Sequence, residues 1–351
     1  MMIDVELLKQ ICEIPGAPGF EHRIRRFVIG HISSHVDEFW VDNIGNLITL
    51  KRGNNNPENK KVMIAAHMDE IGFIITYIDD NGFCWFNTLG GFDPKTLTSQ
   101  RVIAHGKQDI IGVMGSKPIH VMSAEEKVKP AKTEDFFIDF GMPKEEVEKF
   151  ISVGDPVTRE RSLVEMGQCV NSKSLDNRVS VFVLIETLKQ LTNNPYDVYG
   201  VFTVQEEVGL RGAIVATHQI NPDFGIALDT TIAYDVPNAK PQERVTELGK
   251  GTAIKILDSS VICDTRMVEY LRKVASEKNI KWQHEILTAG GTDTASLQKN
   301  GKNGSIAGAI SIPTRHIHQV IEMCHKEDIL NSIYLLKAAL ENINSVDWQY
   351  R

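Results

Sequence analysis

The sequence has few of the features typical of membrane-spanning, secreted or nucleic-acid-binding proteins. It contains no run of 18 uninterrupted apolar residues, so we expect no membrane span. Residues 1–6 have neither a basic region nor an apolar core, so we expect no signal peptide. The 46 Asp and Glu residues outnumber the 38 Lys and Arg residues, and no basic block is present, which argues against a nucleic-acid partner.

Cysteines and aromatic residues are also sparse. The cysteines are odd in number and show no Cys-x-x-Cys spacing; they are Cys12, Cys84, Cys169, Cys263 and Cys324. We therefore predict reduced thiols in a cytoplasmic protein. Aromatic residues make up only 7% of the chain, which leaves few rings that could stack against sugars.

The length and the changing texture of the chain predict two domains. A chain of 351 residues usually forms more than one. Between residues 72 and 158, short β-like runs alternate with Gly, Asn and Asp turns, including a hairpin over 74–86 that is closed by Asn81-Gly82. We predict a small β domain at 72–158, inserted into an α/β domain formed by 1–71 and 159–351.

Apolar periodicity predicts the regular elements of the α/β part. Helices are expected at 5–12, 21–34, 265–278 and 327–342, and another begins at Asp176. Strands are expected at 40–50, 61–65, 199–204, 223–229 and 307–312. Inside the insertion, the charged stretch 123–134 is expected to be a mobile loop.

Polar side chains stand where two of these strands end. His67 and Asp69 follow one apolar strand, and Glu206 and Glu207 follow another. In an open α/β sheet, functional groups lie just past the carboxyl ends of the strands. Adjacent strand residues face opposite ways, so both glutamates reach one site only if the chain is already turning, which Gly209 allows.

Three further candidates extend this set. Asp176 opens a helix, Asp229 ends a predicted strand, and His318 follows the last predicted strand. Two histidines and several carboxylates from five segments suit two divalent metals that share a bridging carboxylate. A spare carboxylate beside them can act as a general base. Zn²⁺, Co²⁺ and Mn²⁺ suit such ligands alike.

Each candidate has a structural alternative. A single His after a strand is more often a surface or core residue, and adjacent glutamates are usually a solvated turn. Asp176 fits a helix N-cap, and Asp229 fits a cap of the following turn. We favour metal ligands because many such groups coincide and because a buried, idle pair of glutamates would be costly.

The remaining histidines are less clearly assigned. His316 competes with His318, because residues two apart in an extended chain point the same way, and spacing alone does not choose between them. His105 and His120 lie in the insertion and are weak candidates for substrate contact. The other histidines lie in helical or loop contexts and are interpreted as structural.

Several ordered motifs resemble one family over almost the whole chain. They lie at 15–21, 42–47, 67–72, 175–178, 205–212, 290–293 and 312–318. With these motifs the chain resembles the cytosolic dimetal aminopeptidases, which include the TET (tetrahedral) peptidases, glutamyl aminopeptidases and deblocking aminopeptidases. Some of these relatives are labelled endoglucanases.

The resemblance implies a role for each candidate. His67 and Asp229 would bind one metal, Glu207 and His318 the other, and Asp176 would bridge them. Glu206 would be the general base, and Asp69 would orient His67. The resemblance thus favours His318 over His316. It also implies two divalent metal ions per subunit.

The resemblance has departures near the pocket. His316 stands where relatives commonly have Tyr, and Gln319 stands where they have Ser. Asn177 often has an acidic counterpart, and residues 294–296 are Thr-Ala-Ser where small residues are usual. These positions bear on side-chain preference rather than on metal binding.

The expected function follows from the resemblance. It implies a cytoplasmic aminopeptidase that removes N-terminal residues from short peptides through a metal-bridged hydroxide. An endoglucanase is one alternative, although glycoside hydrolysis needs two carboxyls flanking a sugar bond. A non-catalytic assembly protein is another, although all five ligand positions are intact.

The resemblance also implies an architecture. The fold would be a mixed-sheet α/β/α peptidase domain with an inserted β-barrel-like domain. That inserted domain would pair two subunits, and six dimers would form a dodecamer.

Overall fold

The computed structural model describes residues 2–350. Within that range the helices are α1 (Val5–Glu13), α2 (His22–Ile32), α3 (Ala124–Val128), α4 (Lys144–Phe150), α5 (Leu175–Gln190), α6 (Arg211–Ile220), α7 (Thr265–Glu277), α8 (Asp293–Lys299) and α9 (Lys326–Asn342). The strands are β1 (Glu38–Val41), β2 (Leu47–Lys51), β3 (Lys61–His67), β4 (Gly72–Ile78), β5 (Cys84–Leu89), β6 (Arg101–His105), β7 (Asp109–Ser116), β8 (Phe136–Asp139), β9 (Pro156–Arg159), β10 (Val164–Met166), β11 (Cys169–Ser172), β12 (Asp197–Thr203), β13 (Phe224–Ile232), β14 (Thr252–Leu257), β15 (Trp282–Ile286), β16 (Ile306–Arg315) and β17 (Glu322–His325).

A mixed sheet of 11 strands forms the larger part of the molecule. Its main path is β1-β2-β12-β3-β13-β16-β17-β11-β10, with β14 and β15 joined beside β16. The four central strands β12, β3, β13 and β16 are parallel to one another. Their residues are buried almost throughout, as expected for parallel strands covered on both faces. Their carboxyl ends therefore meet at one edge of the sheet.

Helices cover both faces of this sheet. The larger hydrophobic core packs α1, α2, α5, α7 and α9 on one face. A smaller core packs α6 and α8 on the other. Helix α5 is buried on nearly every side, because it lies between the sheet and the outer helices α1 and α9. This confirms the predicted α/β/α arrangement.

A separate closed barrel has the strand order β4-β5-β8-β7-β6-β9, and every pair in it is antiparallel. Its first strand begins at Gly72 and its last ends at Arg159, and it has its own apolar core. The predicted hairpin is confirmed as β4 and β5, with Gly82 at φ 91° in the turn. The predicted β-barrel-like part of the fold is therefore confirmed.

Four details of the sequence prediction are wrong. The stretch 123–134 was expected to be a loop, but it contains α3, which a capping box between Ser123 and Glu126 starts. Asp229 does not end its strand, since β13 continues to Ile232. Strand β17 follows His318, so β16 is not the last strand.

The fourth concerns the start of α5. The backbone of Asp176 and Asn177 is not helical, and the regular part of the helix begins at Arg178. The carboxylate of Asp176 accepts no hydrogen bond from the backbone of α5 and faces His67 and His318 instead, so Asp176 does not act as an N-cap. Among the helices of residues 2–350, none is long and apolar enough to cross a membrane.

Candidate metal centre

The parallel strands place the first candidates at one edge of the sheet. His67 is the last residue of β3 and pairs in register with Thr203, the last residue of β12. Asp229 lies on β13, on the other side of β3. The Nε2 atom of His67 lies 3.7 Å from Oδ1 of Asp229. Strand order alone therefore brings an imidazole and a carboxylate together.

Asp176 lies between the two candidate histidines. Its Oδ1 atom is 3.4 Å from Nε2 of His67, and its Oδ2 atom is 3.4 Å from Nε2 of His318. Each carboxylate oxygen thus faces a different imidazole. A carboxylate that divides its two oxygens in this way can bridge two cations.

Two ligand groups share this aspartate. The inner group, as we call it, is His67, Asp176 and Asp229, and the outer group is Asp176, Glu207 and His318. In each group the candidate ligand atoms lie within 4.8 Å of one another. In the outer group, Nε2 of His318 is 3.5 Å from Oε2 of Glu207.

The donor set fits divalent cations. Ligand atoms bonded at about 2.1 Å in a tetrahedron are roughly 3.4 Å apart, close to the separations in both groups. The Oε1 atom of Glu207 is also buried without a hydrogen-bond partner within residues 2–350. Nitrogen and oxygen donors of this kind suit zinc, cobalt or manganese.

Crowding of buried carboxylates changes the protonation of the centre. Burial, together with the charge of Asp176, raises the pKa of Glu207 to about 8. Burial lowers the pKa of His67, but Glu206, Asp176 and Asp229 outweigh it, so this pKa is raised well above its usual value. The metal-free cluster therefore retains protons near neutral pH, and bound cations would take their place.

Asp69 holds the turn that carries both glutamates. Its carboxylate accepts hydrogen bonds from the backbone N–H of Glu206 at 3.1 Å and of Glu207 at 3.0 Å. Gln205, at φ 54°, turns the chain out of β12, so both glutamates reach the same site. The backbone carbonyl of Asp69 lies 3.1 Å from Nδ1 of His67, and its carboxylate 3.4 Å away.

The structure also places the competing histidines. His316 and His318 both have positive φ, so the segment is not extended and the two-residue alternation of a strand does not apply to it. His318 belongs to the outer group, whereas exposed His316 belongs to neither. His105 contacts Thr158 of the barrel at 2.8 Å. His120 lies in an exposed turn of the barrel segment.

Sequence reasoning missed two carboxylates beside the centre. Glu322 accepts hydrogen bonds from the backbone N–H of Asp176 at 3.0 Å and of His318 at 2.9 Å. Asp293 is buried and accepts a 2.6 Å hydrogen bond from the hydroxyl of Thr203. Asp293 stood in a quoted motif, but no pattern pointed to Glu322, because its role depends on two distant loops.

The barrel also reaches the outer group. Gly90 has φ 96°, and a Cβ atom there would lie 2.5 Å from Cγ2 of Ile71 and 3.4 Å from Cβ of Glu207. A Cβ atom on Gly91 would lie 3.3 Å from Nδ1 of His318. A loop without side chains is therefore needed where the barrel meets the centre.

Comparison with known proteins gives consistent similarities. The family model described as M42 glutamyl aminopeptidase matches residues 45–335. A lysyl aminopeptidase of Pyrococcus furiosus is 34% identical, over 99% of this chain and 99% of its own length. The structure of aminopeptidase APDkam598 from Desulfurococcus kamchatkensis has a TM-score of 0.92 and 39% identity, and the match covers 96% of this chain and 94% of that one.

Two further solved structures bear on assembly and on the alternative function. The TET1 peptidase of Pyrococcus horikoshii, described as assembling into a tetrahedron or a large octahedral shell, has a TM-score of 0.86 and 32% identity over 96% of this chain and 98% of its own. A Thermotoga maritima protein named endoglucanase has a TM-score of 0.79 and 31% identity over 95% of this chain and 96% of its own.

Proposed function

The chain belongs to the M42 glutamyl aminopeptidase family, and on that premise we propose that it removes N-terminal residues from short peptides with two divalent ions per subunit. One observation carries this proposal most strongly. The carboxylate of Asp176 is shared between two histidines, and each histidine has a second carboxylate beside it. Zn²⁺ or Co²⁺ are the proposed ions, and Mn²⁺ is the third choice.

Five residues would hold the ions. His67 and Asp229 serve the inner position, Glu207 and His318 the outer one, and Asp176 both. When bound, the two ions supply Lewis acidity and lower the pKa of water. Asp69 acts as a positioning residue, because it anchors the backbone of both glutamates and contacts His67.

Glu206 is the proposed general base. It belongs to neither ligand group, yet its Oε2 atom lies 3.8 Å from Nε2 of His67. Burial raises its pKa well above the usual value, and the positive charge of His67 opposes that rise. Cations beside it would favour the carboxylate further. Its carboxylate takes the proton from the attacking water and delivers it to the departing amine.

The substrate end is proposed to be a free amine. Buried carboxylates around the centre would attract an ammonium group and disfavour a neutral acetamide. Peptides with an acetylated N-terminus should therefore be poor substrates, and products should appear one residue at a time. Internal cleavage of an acetylated peptide, seen by mass spectrometry, would contradict an exopeptidase.

The two glutamates give the central test. Glu206→Gln keeps the shape and removes the base, so activity should fall by roughly 10²–10⁴-fold with metal content unchanged. Glu207→Gln should lose one ion or bind it far more weakly. Elemental analysis beside hydrolysis of an aminoacyl anilide distinguishes them. Metal loss in Glu206→Gln with full activity in Glu207→Gln would reverse the two roles.

The alternatives are weaker. A glucanase needs two carboxyls that flank a sugar bond, whereas here each ligand group combines carboxylates with an imidazole. An idle assembly protein would not need this ligand set. Hydrolysis of a soluble glucan, with no release of amino acids from peptides, would favour the glucanase, and inactivity towards both substrates would favour the assembly protein.

The barrel is proposed to pair subunits, and six dimers to form a dodecamer. The division of the chain at 72–158 belongs to the same proposal. Apolar side chains are exposed on the barrel, including Ile111 at 61%, Tyr77 and Trp85. Tyr77 and Trp85 are cross-strand neighbours, and adjacent exposed apolar side chains are typical of an interface. Light scattering coupled to size exclusion tests it, and a fully active ~39 kDa monomer would refute it.

A cytoplasmic location is the last element of this proposal. The five cysteines are all free thiols, and four of them are buried. Free, unpaired cysteines suit a reducing compartment.

A further inference from the structure

The turn that follows β12, residues 204–207, is held by side chains from other segments of the chain. We call it the glutamate turn. Its four successive backbone N–H groups all donate to side-chain oxygens that lie outside it. Asn46 accepts from Val204 at 3.1 Å, Glu21 from Gln205 at 3.0 Å, and Asp69 from Glu206 and Glu207. The conformation of the turn therefore depends on three segments that are distant in sequence.

Two of these acceptors come from motifs to which the metal centre assigns no role. Glu21 ends the motif at 15–21, and Asn46 stands in the motif at 42–47. Within the described part of the chain, neither motif contributes to a ligand group. Asn46 is fully buried and also donates to the carbonyl of Gly212 at 2.9 Å. Both motifs thus act on the chain that carries the two glutamates.

Glu21 is a buried carboxylate that does not serve its own helix. It is only 3% exposed, and it occupies the N-cap position of α2 without a side-chain hydrogen bond to that helix. Its Oε1 atom instead accepts from the backbone N–H of Gly19 at 2.8 Å and of Gln205 at 3.0 Å. A buried carboxylate is costly unless hydrogen bonds compensate it, and these two donors lie outside α2.

The residue that Glu21 holds has an unfavourable backbone conformation. Gln205 has φ 54°, in the left-handed region that residues other than glycine rarely adopt. Such a conformation persists only where the surroundings determine it. Glu21 fixes the N–H of Gln205, and the backbone N–H of Arg211 donates to its carbonyl at 3.2 Å. The direction in which the next two residues leave β12 is set at this point.

We propose that Glu21 is a positioning residue for the general base Glu206 and the metal ligand Glu207. This inference rests on the proposed function, which gives those two residues their roles. One oxygen of Glu21 accepts both hydrogen bonds, so the position of that oxygen matters more than the charge. Asn46 holds the preceding N–H with a neutral amide oxygen, so a charged acceptor is not required in this turn.

Three variants separate the position of the oxygen from its charge. Glu21→Met removes the acceptor, so kcat for an aminoacyl anilide at saturating metal should fall by roughly 10–100-fold, as for other residues behind a metal centre. Glu21→Gln keeps an Oε1 acceptor without the charge and should stay within a few-fold of the wild type. Glu21→Asp keeps the charge but withdraws the oxygen by one methylene, so it should lose more activity than Glu21→Gln.

Glu13→Met is the matched control. Glu13 lies in the same N-terminal segment, and its Oε1 atom accepts the backbone N–H of Leu163 at 3.0 Å. This variant also leaves a distant N–H without its acceptor, so its Tm should fall as well. Its kcat should stay close to that of the wild type, because Leu163 belongs to neither ligand group.

Hydrogen exchange of the metal-free protein gives a readout that does not depend on catalysis. In Glu21→Met, the amides of residues 204–207 should exchange at least about tenfold faster, because a hydrogen bond to a charged group is lost. Glu21→Gln should change this exchange much less, and Glu13→Met should leave it unchanged. This exchange pattern in a chain that hydrolyses no peptide would refute the proposed function and support the positioning role.

Two outcomes overturn the proposal. Equal kcat and equal exchange in Glu21→Met and Glu13→Met would show that the glutamate turn keeps its conformation without Glu21. A loss of activity in Glu21→Gln as large as in Glu21→Asp, or larger, would show that the charge matters rather than the position of the oxygen. If Glu21→Met does not fold, the comparison of Glu21→Gln with Glu21→Asp, in kcat and in exchange, decides the question alone.

Discussion

The inner and outer ligand groups are built from different kinds of structure. The inner group takes His67 and Asp229 from adjacent parallel strands in the buried sheet, and His67 is only 2% exposed. The outer group takes Glu207 and His318 from loops, and His318 is 38% exposed. Both use Asp176. Strand pairing fixes one half of the centre, whereas loop conformation and the barrel fix the other.

This difference predicts that the inner and outer positions bind their ions with unequal affinity. Residues on packed strands hold their geometry without a ligand, since moving them disrupts the sheet. Loops open more readily, because fewer buried contacts hold them. We therefore expect the inner position to bind its ion more tightly and to retain it longer.

The largest effect should come from Asp176, which both groups share. Asp176→Ala removes the common ligand, so both positions should lose affinity and hydrolysis should fall below detection. Elemental analysis and an aminoacyl anilide assay measure this. Asp264→Ala, which changes a helix cap away from the centre, is the control. Retention of both ions with normal turnover would refute the shared role.

Substituting one histidine at a time should separate the halves. His318→Ala should lose the outer ion and keep the inner one. His67→Ala should weaken the inner position, and the loss of its contacts to Asp69 and Asp176 should disturb the outer one as well. Stopped-flow release of metal to a chromogenic chelator should show two phases in the wild type and one in His318→Ala. Equal release from both positions would contradict the comparison.

Glu322 tests the same comparison, because it holds the backbone of two ligand residues, Asp176 and His318. Glu322→Gln replaces one acceptor oxygen with a donor, so a backbone N–H of Asp176 or His318 loses its partner. Outer-shell changes of this kind weaken metal binding by roughly 10–100-fold. The slower phase of metal release, which belongs to the inner position, should change less than the faster phase from the outer position. Glu341→Gln, at a partly buried position on α9 where Glu341 pairs with Lys337, is the control. An identical loss at both metal positions would remove the distinction.

The smallest effect concerns pH. Burial lowers the pKa of His318, but Asp176 and Glu207 outweigh it and raise that pKa to about 9 in the metal-free protein. An incoming ion must displace this proton, so outer-site affinity should increase with pH up to about 9 and then level off. The slope should be roughly tenfold per pH unit between about 8 and 9, and steeper below about 8, where Glu207 also holds a proton. Isothermal titration in buffers of different ionisation enthalpy counts the released protons, and a flat profile would count against it.

The comparison also shows which parts of the molecule are predictable. The apolar strand before His67 and the turn after β12 follow local rules, so the sequence was sufficient to predict that His67, Glu206 and Glu207 lie at one edge of the sheet. The hairpin with Asn81-Gly82 was equally local. His316 and His318 could not be separated from spacing, because both adopt positive φ in a loop that later packing determines. Glu322 carries no local signal, since its surroundings come from distant segments.

The order of the central strands has a consequence for synthesis on the ribosome. Both sheet neighbours of β3 lie later in the chain, and the earlier one, β12, begins about 130 residues after His67. At 5–20 residues per second, the apolar strand waits roughly 7–26 s for its first partner. The barrel needs no residue beyond Arg159 and can close during that interval. The nascent chain therefore carries a finished barrel beside an exposed strand, and that strand is where chaperones or aggregation would act first.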